Sequence, residues 1–171
     1  MSIQEKSPVL ESEKPLGHRW GVVSAIFIAS QATRPMTSVA EVRALAGAGL
    51  EGDRYSRNAG TFAANSPSHQ LTLIESEAVA AAARDYKIDI GAGESRRNLL
   101  TTGIALNHLV GREFSVGGVR LRGLRLCEPC GHLDKLTGKE MIKALRHRGG
   151  LRAEILCDGS IKVGDTITEQ E

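Results

Sequence analysis

The sequence predicts an α+β domain, mainly β, in which a barrel-like sheet carries two or three helices packed around it. Three observations point there. The apolar, β-branched runs are short and separated by glycine-bearing turns, with Gly 19 against Pro 5 in the whole chain, a spacing that belongs to sheets joined by tight connections. Only one alanine-rich run and one capped segment read as full helices. Strands and helices do not alternate regularly, so the pattern does not resemble a βαβ array.

Composition narrows the function classes. A chain of 171 residues, 41% apolar and 25% charged, supports one core and leaves no room for a second ordinary domain. The net charge of +2 and 4% aromatic content are too mild for a nucleic-acid binder, which needs a basic face and stacking platforms. No apolar run reaches membrane length and the N-terminus lacks a secretory pattern, so a cytoplasmic protein with neither nucleic acid nor membrane as partner is expected. Three cysteines, Cys127, Cys130 and Cys157, are an odd number in a domain that needs no staples, which favours reduced thiols.

Residues 1–18 mix charge, serine and proline without periodicity and read as a mobile leader; residues 19–171 read as the single domain. The run WGVVSAIFIA at 20–29 has the composition of a strand buried on both faces. A short alternating segment at 39–45 precedes a glycine-rich stretch at 46–60, read as a loop carrying Asp53, Arg54 and Arg57. Such a loop either approaches a ligand closely, since glycine lacks a Cβ, or is a solvated turn.

HQLTLI at 69–74 alternates as a strand does, and ESEAVAAAARDY at 75–86 follows as a helix with acids in its first turn. After a turn at 88–95, a strand at 98–102 begins beside Arg96, Arg97 and Asn98, and residues 105–110 make a helical turn. Two short strands then meet at a Gly117-Gly118 hairpin. In the second, Val119 and Leu121 share one parity and Leu124 and Leu126 the other, which predicts a β-bulge near Gly123. Thr137-Gly-Lys-Glu140 matches a capping box for a helix from Gly138 with Met141, Ile142 and Leu145 as its stripe, closed by Gly149 or Gly150. Asp158-Gly159 between two alternating runs reads as a hairpin.

The chemistry concentrates in LRLCEPCGHLDKL, residues 124–136. A zinc site there would need two more ligands, and beyond His132 no second CxxC or His pair exists. A thioredoxin-like dithiol should open a helix within a βαβ unit, whereas the capping box starts the helix several residues later. A third reading makes Cys130 the single acting thiol, with Pro129 fixing the preceding backbone, Gly131 allowing close approach and His132 as a neighbouring base. In a fourth, both cysteines are small core hydrophobes, as Cys157 is by its strand parity.

The order of GLEGDRY, HQLTLIESE, RRNLLTTGIALNHLVG, REFSVGGVRLRGLRLCEPCGHLD and LRHRGGLRAEILCDGSIKVGDTI resembles the MOSC family, the C-terminal domain of molybdenum cofactor sulfurases, found also as small standalone bacterial proteins. That resemblance implies a barrel associated with pyridoxal phosphate families and a functional cysteine matching Cys130. It implies a molybdenum cofactor (molybdopterin) as ligand, with Cys130 on the metal and an Arg-x-Asn element, Arg96 and Asn98, on the pterin side, joined by Arg54, Asp53 and His132. Reduction of N-hydroxylated compounds or transfer of persulfide sulfur would follow. An electron-donor protein or a cysteine desulfurase would be the partner. Tyr55 stands where the family often carries histidine.

Overall fold

The structure, a computed structural model, describes residues 19–57, 59–61 and 66–169; the leader read at residues 1–18 lies outside them. The described chain opens with β1 (Arg19–Ile28), β2 (Thr37–Val39), β3 (Glu41–Leu45) and β4 (Gly49–Leu50). β5 (Leu71–Glu75) runs directly into α1 (Ser76–Tyr86), and β6 (Leu99–Thr102) follows. β7 (Glu113–Val116) and β8 (Val119–Leu126) lead to α2 (Gly131–Thr137) and α3 (Met141–Leu145). β9 (Leu151–Ile155), β10 (Gly159–Lys162) and β11 (Thr166–Glu169) end it.

The hydrogen-bonded order β11-β7-β8-β9-β5-β6-β1 closes on itself because β1 also pairs with β11, so seven strands form a barrel and β2 lies against β1. Closure removes the open edges of the ring. The smaller sheet β10-β3-β4 shares the barrel's core: Val42, Ala44, Leu50 and Ile161 belong to the same apolar cluster as Leu73, Phe114 and Leu121. The mainly β, α+β reading of the sequence is thus what the chain adopts. One local unit departs from it, since β5 and β6 are parallel across α1, the right geometry for a single βαβ crossover inside an otherwise antiparallel ring.

That unit explains which strand is buried on both faces. In β5, Leu73 enters the barrel while Ile74 joins Ala82, Leu133, Met141, Ala144 and Leu145 in a second apolar cluster under the helices. β1 was expected to be covered twice, but Val22 and Ser24 are exposed because the helices shield the β5 side of the barrel. The helices therefore decide burial more than composition does.

Three further expectations are corrected. Thr137 does not cap a helix: its hydroxyl donates to the carbonyl of Leu133 at 2.8 Å, inside α2, and Gly138 ends that helix with φ +67°. α3 begins three residues later, and the Asp134 carboxylate, from the preceding helix, accepts the Ile142 amide at 3.0 Å. Asp158-Gly159 turns no hairpin, because β9 pairs with β8 and β5 while β10 pairs with β3; Asp158 accepts the Ala46 amide at 2.8 Å and so joins the two sheets. Cys157 is only half-buried, its sulfur accepting the Arg120 amide at 3.2 Å.

The Gly117-Gly118 hairpin and the bulge near Gly123 stand as read from the sequence: Val116 pairs with Val119, and the β8–β9 register shifts between Gly123 and Arg125. Gly123 is obligatory there. A Cβ on it would sit 2.1 Å from the Leu109 carbonyl oxygen, a distance that forces backbone movement. Gly123→Ala should therefore lower unfolding free energy by about 2–4 kcal/mol in urea titration, whereas Gly118→Ala, with open space around its Cβ, should change it by less than about 0.5 kcal/mol.

Candidate functional site

Arg97 builds the site. Its guanidinium is buried and donates through Nε to the Gly149 carbonyl at 2.8 Å, through one terminal nitrogen to the Cys127 carbonyl at 2.8 Å and through the other to the Ser95 carbonyl at 2.9 Å. The planar fork of arginine suits three diverging acceptors. The bonds tie the loop before β6 to the end of β8 and the start of β9. Gly149 permits the approach, since a Cβ on it would lie 2.5 Å from the Cys127 oxygen.

The stretch from Cys127 to Cys130 leaves β8 without turn or bend. Cys127 is buried, Cys130 is exposed immediately before α2, and both are free thiols. Cys130 itself is extended, with φ −136° and ψ 168°, at the N-terminal cap of α2. The symmetrical CxxC is therefore split into a framework sulfur and an accessible one. α2 does begin directly after Cys130, nearer than the sequence reading placed the helix, because Leu133 packs into the helical cluster.

Cys127 and Cys130 border one cleft with Arg54, Arg96, Arg97 and Arg152. His132, Tyr55 and Thr72 complete its walls. Asp53 and Asn98 are not among the residues that line it, and the reason is their bonding. Asn98 is buried, accepting from the Thr72 amide at 3.2 Å and hydroxyl at 3.0 Å and donating to the Phe27 carbonyl at 3.1 Å. Asp53 accepts the Ala29 amide at 3.0 Å, the Tyr55 amide at 3.3 Å and an Arg54 N–H at 3.3 Å. Both carry the walls and leave the interior to the arginines.

The electrostatics of that interior are unbalanced. Burial, followed by the charge of Arg54, pushes the Arg96 pKa below its ordinary value, with Asp53 and then Tyr55 opposing that shift, so two like charges share one space. Arg96 also holds φ +60°, a left-handed conformation that costs a non-glycine residue on the order of 1 kcal/mol. The Nε of Arg152 is buried without a hydrogen-bond partner, the kind of unmet donor that a ligand acceptor satisfies. Glu128, also at the cleft, accepts the His147 amide at 3.0 Å and lies 3.4 Å from His147 Nδ1.

Arg152 escaped sequence reading because one arginine on the outward parity of a strand looks solvated. Tyr55 is placed by stacking on His69, ring centroids 5.2 Å apart and 16° between planes, and carries the Arg54 guanidinium 4.8 Å above its own ring. The aromatic thus positions an arginine.

Fold and site together define a small closed β-barrel protein with an exposed thiol at the rim of an arginine-lined cleft. The profile of the MOSC domain matches residues 60–168, and the chain belongs to the MOSC domain family. No curated protein sequence matches the chain. Its fold is shared with the YuaD protein of Bacillus subtilis (TM-score 0.70, 16% identity, covering 88% of this chain and 97% of that one). YiiM from Geobacillus stearothermophilus gives a TM-score of 0.68 at 16% identity, covering 88% of this chain and 75% of that one. YiiM from Escherichia coli gives 0.66 at 17%, covering 88% and 70%. Among the described residues no helix is long and apolar enough to cross a membrane.

Two outcomes test this construction. Arg97→Lys offers one ammonium to three fixed carbonyls; chemical denaturation should show a loss of about 2–4 kcal/mol, and Cys127 should become accessible to thiol reagents in the native protein. Glu94 braces the loop that delivers Arg96, accepting the Gly91 amide at 2.7 Å and pairing with Lys139. The Lys139 contact, then the Gly91 amide, hold its carboxyl below the usual glutamate range. Its folded pKa being depressed, the stability it contributes is present above the unfolded pKa and is lost as pH falls through the folded one. Urea midpoints of wild type and Glu94→Gln should therefore differ at neutral pH and converge in acid.

Proposed function

We propose that this chain binds a molybdenum cofactor at the cleft, with the Cys130 thiolate as the protein's ligand to the metal. Arg54, Arg96 and Arg152 would receive the phosphate of the pterin. The observation that carries this reading is the meeting of one exposed thiol and four arginine side chains in a single cleft. The donor set fits the group: thiolate sulfur is a soft ligand for such a metal, and arginine forks match phosphate geometry. The buried Arg152 Nε without an acceptor and the mutual repulsion of Arg54 and Arg96 are both relieved by an anion. Among the described residues no group of three or more His, Cys, Asp or Glu stands together.

When bound, the cofactor supplies a metal centre able to pass electron pairs to a substrate, here N-hydroxylated compounds, with electrons drawn from a separate donor protein. The chain's own part is to bind and orient. Arg97 fixes the backbone ahead of Cys130, Asp53 and Asn98 fix the arginine-bearing loops, and His132 brings an imidazole to the same cleft, suited to a proton at its ring nitrogen.

The exposure of Cys130 favours a second reading, in which the thiol carries persulfide sulfur received from a cysteine desulfurase. Molybdenum content after purification from cells that make the cofactor separates them. Wild type is expected near one metal per chain and Cys130→Ala at least about tenfold lower, one ligand bond being worth well over a kcal/mol; equal molybdenum in both would overturn metal ligation by Cys130.

A further inference from the structure

A second cavity, of about 290 Å³, adjoins the cleft through Arg96, which lines both. Its walls come from the loop after β1, the turn before β6 and the end of α2, with Pro35, Met36, Ala92 and Leu136 as its apolar surface. That size, near the lower end of the roughly 300–1,000 Å³ of small-molecule sites, suits one ring-sized body. Among the described residues four non-glycine residues hold a positive φ, and two of them, Thr33 at +64° and Arg96 at +60°, stand on this wall. Threonine, branched at Cβ, resists that conformation strongly, and strain of this kind is kept where a ligand is clamped or a segment switches.

The polar atoms of the wall share one character. Thr33 Oγ1 gives its proton to the Ala32 carbonyl at 2.6 Å, and Thr137 Oγ1 gives its own to the Leu133 carbonyl at 2.8 Å, so each hydroxyl has only acceptor capacity left. Glu94 takes the Gly91 amide and Lys139 on Oε2, while its Oε1 accepts nothing from the described residues. Lys139 balances the Glu94 charge, and Arg96 spends one terminal nitrogen on the Arg34 carbonyl at 2.6 Å. An apolar surface edged with acceptors is the complement of an uncharged body that carries N–H donors. The cleft, with its crowded guanidiniums, asks for the opposite.

Leu136 lies six positions beyond Cys130, roughly 9 Å along α2. A ring, its reacting group and one metal–sulfur bond together cover that span. We propose that this cavity seats the non-reacting body of the substrate, an aryl group edged with N–H donors, while the reacting group reaches past Arg96 toward the cofactor. The substrate role rests on the cofactor reading; the binding of such bodies to the chain does not.

Isotope-labelled methionine methyls, followed by NMR, supply the readout, since Met36 lines the cavity and Met141 is fully buried under the helices. The metal-free full chain is titrated with benzamide, an aryl body with an N–H edge, and with methyl benzoate, the same body without one. Expected are a saturable shift of the Met36 methyl, an unmoved Met141 methyl, and a Kd at least about fivefold lower for benzamide. Leu136→Gln and Ala92→Phe, at half-buried and exposed positions outside both apolar clusters, should each weaken benzamide at least about fivefold. No saturable Met36 shift, equal affinity for the two probes, or full affinity in both variants would overturn the site. In cofactor-loaded protein driven by a reduced viologen dye, Leu136→Gln should raise the KM of N-hydroxybenzamidine at least about fivefold more than that of N-hydroxyacetamidine; equal changes would overturn the substrate role. Molybdenum assayed in parallel keeps the readings apart. Metal in the wild type without a Met36 response sinks this inference alone, whereas a Met36 response in a chain that never takes up molybdenum sinks the cofactor reading, and the substrate role with it, and leaves the binding cavity supported.

Discussion

Everything at the candidate site depends on one buried guanidinium bonded to three backbone carbonyls. Arg97 is held by oxygen atoms of Ser95, Cys127 and Gly149 rather than by a carboxylate. A buried charge without good partners costs several kcal/mol, so the three carbonyls must stay where they are for the fold to be tolerable. The constraint works in both directions. The arginine is stable because three chain segments converge, and the segments converge because the arginine is there. The exposed sulfur of Cys130 lies three residues beyond one of those fixed carbonyls, which is how a loop residue acquires a defined position.

A second layer sets the charge of the cleft. Asp53 and Asn98 join the end of β1, the loop after β4 and the start of β6 through bonds to Ala29, Phe27 and Thr72. Their side chains are consumed by this work, yet they decide where Arg54 and Arg96 stand. Tyr55 adds the face on which Arg54 rests. Polar groups that never meet a ligand thus prepare an interior in which positive charge is crowded, a preorganisation that folding supplies before any anion enters.

Much of this was legible from residue order, and the failures have physical causes. The bulge at Gly123 followed from strand parity because one side of β8 must face the core. The framework place of Cys127 followed from its continuing the strand, whereas the choice of Cys130 rested on Pro129, Gly131 and the family resemblance. Asp53, Arg54, Arg96 and Asn98 became candidates through the family resemblance, but sequence could not divide the cleft-lining arginines from the wall-building Asp53 and Asn98, since that depends on long-range partners such as Ala29 and Phe27. Asp158-Gly159 misled because a turn signal says nothing about whether the flanking strands choose each other or, as here, β3 and β8. The helix α2 was missed because seven residues with one buried leucine, Leu133, are too few for a periodic pattern.

The bulge in β8 has a consequence for how such a protein changes over time. Strand phase works like a reading frame: the extra residue at Gly123 to Arg125 sets which following side chains point inward. Cys127, just past the strand, is held inside by its carbonyl on Arg97 and its amide on Gly150, and Cys130 stands outside at the start of α2. A single-codon deletion there would leave both cysteines in the chain and would shift the Cys127 backbone out of register with Arg97 and Gly150. The chemistry of the rim is therefore exposed to shifts in length within β8 at least as much as to replacement of the sulfur itself.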